Sequence, residues 1–128
     1  MCIRDRYQQG MKESPAEFLP AVQQHALDTL RSSEQPQGFT LYGFAAEPTH
    51  LHAIAGWADQ RHADTVARQL KTSISRALNQ RFSKRKWLAK NAGLTPVRNR
   101  DHLYQLVCIY LPKHKGIHWR PSRKDMDQ

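Results

Sequence analysis

The chain lacks any long hydrophobic run and is poor in acidic residues. Its longest apolar stretch, Leu106 to Leu111, falls far short of the ~20 residues a bilayer demands, which excludes a membrane-spanning helix. Acidic residues number 11 against 20 Lys and Arg, giving a net charge of +9 and a pI of 10.0. That imbalance points to a polyanionic partner, most simply nucleic acid. Mean hydropathy is −0.75, yet three Trp, four Tyr and four Phe are spread among periodic apolar positions, which excludes wholesale disorder. A length of 128 residues is one domain's worth of chain.

Cysteine is scarce too. Met1-Cys2-Ile3-Arg4-Asp5-Arg6 resembles the translation of a transposon-end adapter used in sequencing-library preparation, and is set aside from fold reasoning. Without it the chain holds 18 basic and 10 acidic residues, a net charge of +8, and Cys108 alone. One cysteine can form neither an internal disulfide nor a thiolate zinc site, which suits a reducing compartment, the cytoplasm. Residues 7–119 read as one domain shortened at its N-terminus, and residues 120–128 as a flexible charged tail.

Ser14-Pro15-Ala16-Glu17 has the form of a helix start, with Pro20 delaying the regular part. Phe18, Val22, Ala26 and Leu30 then mark one apolar face down to Arg31. Ser32 to Gly38 reads as a polar loop. Gly38 to Ala46 and His50 to Trp57 read as antiparallel strands joined by a turn at Glu47-Pro48-Thr49. Alternation in the second strand sets His50, His52 and Ile54 on one face, and Leu51, Ala53, Ala55 and Trp57 on the other. Val66, Leu70, Ile74, Leu78 and Phe82 stripe a helix from His62 to Phe82. A short strand is predicted at Thr95 to Arg98. A last helix is predicted over Arg100 to Leu111, with Leu103, Leu106, Val107 and Tyr110 facing inward. The order is that of an α+β domain. A strand ahead of the first helix, expected to be missing here, would complete a ferredoxin-like split βαβ beside the histidine-bearing strand.

Two imidazoles two residues apart on a strand point the same way, so His50 and His52 can converge on one metal ion. Tyr110 and His114 lie four apart, on one face if helical. A tyrosine beside a metal-bound phosphate can act as a covalent nucleophile while the cation polarises the phosphodiester. The plainer alternative makes Tyr110 a core aromatic. Tyr104 is the rival nucleophile. His25, His62, His102 and His118 read as surface or capping residues.

Glu47-Pro48-Thr49-His50-Leu51-His52-Ala53-Ile54, then Gln69-Leu70-Lys71, then Tyr110-Leu111-Pro112-Lys113-His114-Lys115-Gly116 resemble the HUH single-tyrosine transposases, most closely the REP-associated branch. The resemblance covers residues 37–119, with Tyr110 following His52 by 58 residues. It implies a ferredoxin-like domain acting on hairpin-bearing single-stranded DNA. It implies that His50, His52 and His114 hold a divalent cation, Mg²⁺ or Mn²⁺, and that Tyr110 forms a 5′-phosphotyrosine, leaving a free 3′-hydroxyl. His114 stands where the family usually has Gln or Asn, and Thr49 where Asn is usual. Related transposases include swapped homodimers.

Arg68, Lys71 and Arg76, with Lys84, Arg85 and Lys86, are candidates for a phosphate track. Trp87 is either a base-stacking platform or a lid over the core. Two other functions compete. One is a nucleic-acid-binding domain without chemistry, derived from such a transposase. The other is a metallohydrolase using His50, His52 and His114 with activated water.

Overall fold

The computed structural model describes residues 2–6, 18–88 and 93–121. Its elements are β1 (Cys2–Arg6), α1 (Pro20–Gln37), β2 (Thr40–Glu47), β3 (His50–Gly56), α2 (Ala63–Arg81), β4 (Gly93–Thr95), α3 (Arg100–Gln105) and β5 (His118–Trp119). A π-helical turn, Leu106–Tyr110, and a 3-10 turn, Leu111–Lys113, prolong α3. The strands form one sheet in the order β4-β1-β3-β2-β5, with every neighbouring pair antiparallel. The fold is α+β, as the pattern of elements predicts. Among the described residues no helix is long and apolar enough to cross a membrane.

The N-terminal segment departs from expectation. The sequence places residues 1–6 outside the fold and leaves the strand beside β3 missing. Instead Cys2–Arg6 fills that place, between β3 and β4. The physical reason lies in β3, whose inner edge carries backbone donors and acceptors that need partners once both sheet faces are covered. The helix-start signal at Ser14–Glu17 lies outside the described residues, as does the tail from residue 122.

Helix α1 also runs further than its sequence suggests, through the expected loop to Gln37. The Ser32 and Ser33 hydroxyls turn back onto the Thr29 carbonyl rather than breaking the helix. Gly38, at φ 68°, then ends it. The Phe39 N–H donates to Glu34 O and the Gly38 N–H to Gln35 O, the paired bonds of a Schellman cap. The Glu34 carboxylate accepts from Leu41 N–H at 2.7 Å and so ties α1 to β2.

The sheet has two unlike faces. Leu41, Phe44, Leu51, Ala53 and Ala55 pack against Val22, Ala26, Leu27 and Leu30 of α1 and Val66, Leu70, Ile74 and Leu78 of α2. Phe82, the last residue of the predicted stripe, is left exposed beyond the end of α2. The opposite face carries a smaller cluster: Ala45, Ile54, Val107 and Leu111, with Tyr42, Leu103, Tyr104, Leu106 and Tyr110 at its margin. The alternation read along β3 therefore holds, and so does the inward face of the last helix. The short strand falls at Gly93–Thr95 rather than Thr95–Arg98.

Candidate metal centre

His50 and His52 occupy alternate positions of β3 and share its second face. Their ring centroids are 4.7 Å apart. The third imidazole arrives from the C-terminal segment by an irregular path. Pro112 has no N–H to offer the Cys108 carbonyl one turn back, and its ring crowds that position. The helix responds by widening. The Leu111 N–H donates to Leu106 O, five residues earlier, and the His114 N–H then donates to Leu111 O. His114 itself is extended, at φ −76° and ψ 145°. The expectation of one α-helical face for Tyr110 and His114 is thus corrected: a π turn followed by a 3-10 turn brings them together, with ring centroids 5.0 Å apart.

The sheet accommodates this segment at Gly43, beside a register shift in β2. A β-carbon there would lie 2.6 Å from Leu111 Cδ1. Behind His114, the Gln23 side chain accepts from Ile117 N–H at 2.9 Å and donates to the Phe18 carbonyl at 2.6 Å. Gly116 N–H donates to Ala46 O. These bonds clamp the segment after His114 to β2 and α1. His118 donates through Nε2 to the His114 carbonyl.

One ligand atom from each of His50, His52 and His114 lies within 4.8 Å of the others. His52 and His114 are 1% and 8% exposed, with ring centroids 4.3 Å apart. The His114 Nδ1 is 3.0 Å from the Leu111 carbonyl, which can only accept. The ring proton therefore sits on Nδ1, and the Nε2 lone pair is left for a cation. A set of three neutral imidazoles fits one divalent metal and by itself accepts several. Tyr110 stands beside the set, its ring centroid 5.8 Å from that of His52. Tyr104, the rival, packs at the margin of the smaller core cluster.

The remaining predicted residues are distributed differently. Arg68, Lys71 and Arg76 belong to α2, which packs on the face opposite the imidazoles. Lys84, Arg85 and Lys86 are exposed in the loop that follows. The structure does not bring these cations to the histidines. Lys113 and Lys115 are exposed on either side of His114; their only sequence signal is adjacency to a candidate ligand. Trp87 lies over the core, as a lid would. It is 5% exposed, 6.5 Å from the Phe18 ring by centroids, with Arg85 over its face and its indole N–H donated to Ser83 O. His102 Nδ1 accepts from Arg98 N–H, in keeping with a capping role, whereas His62 stands at the N-cap of α2 without a side-chain capping bond. His25 meets the Phe82 ring edge-on. Cys108 is exposed and free of any disulfide.

Comparison with protein-family models, with characterised proteins and with solved structures yields no match.

Proposed function

We propose that the protein is a metal-dependent single-stranded DNA transposase or nickase of the HUH single-tyrosine kind, with Tyr110 as its nucleophile. One observation carries this reading. A phenol and three imidazoles, drawn from β3 and from a segment some 60 residues later, converge on one side of the sheet. A phenol buried in hydrocarbon away from the histidines would have no such use.

The strand order supports the same reading. A helix follows β1 and another follows β3, and β4-β1-β3-β2 is the arrangement of a ferredoxin-like split βαβ. Tyr110 meets the histidines of its own chain, which favours a centre completed within one molecule over one that needs a swapped homodimer.

In this reaction the Tyr110 hydroxyl oxygen attacks a backbone phosphorus. The bond from phosphorus to the 3′ oxygen breaks, and the phenol's proton passes through solvent to that oxygen. The products are a 5′-phosphotyrosine and a 3′-hydroxyl. A 3′-hydroxyl can reverse the step and join strands, because the ester bond is conserved. A divalent cation held by His50, His52 and His114 would act as a Lewis acid, stabilising charge on the phosphate. His114, fixed through Nδ1, keeps its lone pair aimed away from its own backbone. Lys113 and Lys115 flank that ligand and suit the neighbouring phosphates. The α2 and loop cations would serve only DNA that passes round the edge of the domain.

The test is incubation with hairpin-bearing single-stranded DNA and Mg²⁺ or Mn²⁺, followed by denaturing electrophoresis. The expected outcome is a covalent protein–DNA adduct that Tyr110→Phe and chelator each abolish. An undiminished adduct with Tyr110→Phe rejects the assignment. Metal-dependent free ends without adduct would favour a hydrolase, and salt-sensitive binding without cleavage a binding domain.

A further inference from the structure

Strand β2 ends at Glu47 and β3 begins at His50. Only Pro48 and Thr49 lie between, so Glu47 and His50 are direct cross-strand partners. Directly opposed residues of an antiparallel pair share a face. Glu47 therefore stands on the imidazole side, with Oε2 3.0 Å from His50 Nε2. The other nitrogen of that ring, Nδ1, is 2.9 Å from the Thr49 hydroxyl. A carboxylate only accepts, so Nε2 donates to Glu47 while Nδ1 accepts from Thr49.

The same contact has the dimensions of a coordination shell. Two ligand atoms about 2.1 Å from one cation, at a right angle, stand about 3.0 Å apart. His50 Nε2 and Glu47 Oε2 already have that separation. Binding between them needs no net loss of a proton. The imidazole proton moves from Nε2 to Nδ1, and the Thr49 hydroxyl turns from donor to acceptor, a reversal open to a hydroxyl. The donor chemistry agrees. Imidazole alone favours zinc, copper or nickel, whereas Mg²⁺ and Mn²⁺ favour carboxylate oxygen. His52 and His114 form the buried floor of the cluster, and the side chains of His50 and Glu47, 23% and 31% exposed, form its rim.

The three imidazoles alone form the cluster within 4.8 Å, and Glu47 meets it through His50; the geometry points to Glu47 as the oxygen ligand that turns in to join the set when a hard divalent cation binds. This rests on the metal-binding part of the reading above, not on its DNA chemistry. The test is calorimetric titration of the metal-free protein with Mn²⁺ and, separately, Zn²⁺, in wild type, Glu47→Gln and His52→Ala. Circular dichroism verifies that each variant is folded. Glu47→Gln is expected to weaken Mn²⁺ binding roughly tenfold or more and Zn²⁺ binding markedly less, with His52→Ala abolishing both. Unchanged Mn²⁺ affinity in Glu47→Gln overturns the assignment. Equal losses for the two metals do so too, since they would make Glu47 a residue that merely steadies His50. If the wild-type protein binds neither metal, the three-histidine centre falls along with it; if only the Glu47 arm fails, the centre stands.

Discussion

Compare the two faces of the sheet. Beneath α1 and α2 the buried side chains are almost all hydrocarbon, set at four-residue intervals on both helices. Beneath α3 and its irregular continuation, four apolar residues are buried and two imidazoles stand beside them. Apolar burial stabilises at about 25 cal/mol per Å². A buried imidazole must instead be offset by hydrogen bonds or a ligand. The first face therefore holds the domain together, and the second uses that stability to hold polar groups in place. The short α3 segment could not do both.

Three substitutions probe this division, beyond those at Tyr110, Glu47 and His52. The largest effect is expected from Leu30→Ala, which empties part of the two-helix face. Chemical denaturation should show a loss of about 3 kcal/mol, within the usual span for a buried leucine. Cation affinity of the folded protein should stay the same. A parallel drop in affinity would break the comparison.

Gly116→Ala comes next, because it strikes the join between the faces. A β-carbon there runs into the Ala46 carbonyl oxygen and the Gln23 amide oxygen. A loss of roughly 2 kcal/mol is expected, as for other overpacked sites. Here cation affinity should fall as well, because the displaced segment carries His114. An unchanged titration with lowered stability would show that the clamp does not position that ligand.

The smallest effect is expected from Asp59→Asn, away from both faces. The Arg61 side chain and then its backbone N–H hydrogen-bond the Asp59 carboxylate and hold its pKa below the ordinary 3.8. A lowered folded-state value contributes stability above about pH 3.8, lost as the pH falls below it toward the depressed value. Asp59 is exposed and Arg61 only partly covered, so the acid limb of an unfolding titration should move only slightly. A large shift would mean that the Arg61 bridge to Gln37 and Gly38 depends on Asp59.

Much of the first face was legible in the sequence. The stripe Val66, Leu70, Ile74, Leu78 needs only helical spacing to find its core, and His50 with His52 needs only the two-residue period of a strand. Helix α1 outruns its sequence pattern because Ser, Pro and Gly at its end look like a loop. A Schellman cap uses that composition to finish a helix, and Gly38 was the available clue. Strand β5 is two residues long and exists through its pairing with β2, which no local pattern encodes. Trp87 sits inside a basic run that hides its packing, and its partners Phe18 and Phe82 are distant from that run or carry no local signal of the contact. Glu47 was read as a turn residue. A two-residue turn, counted out, sets it opposite His50. Tyr110 and His114 were paired on the right residues by the wrong geometry, since the spacing assumed a regular helix that Pro112 does not permit.

The π-helical turn that delivers Tyr110 spaces its hydrogen bond across five residues where an ordinary coil spans four. The segment thus contains one residue of slack, absorbed just before the phenol. Removing one residue between Leu106 and Ile109 would close the turn to an ordinary helical one and leave the ring facing the histidines, whereas removing one from the regular helix Arg100–Gln105 would swing it about 100° around the axis. Residue count sets the aim of the phenol in the regular helix, and the wide turn after it is the one place where a residue can be lost without changing that aim.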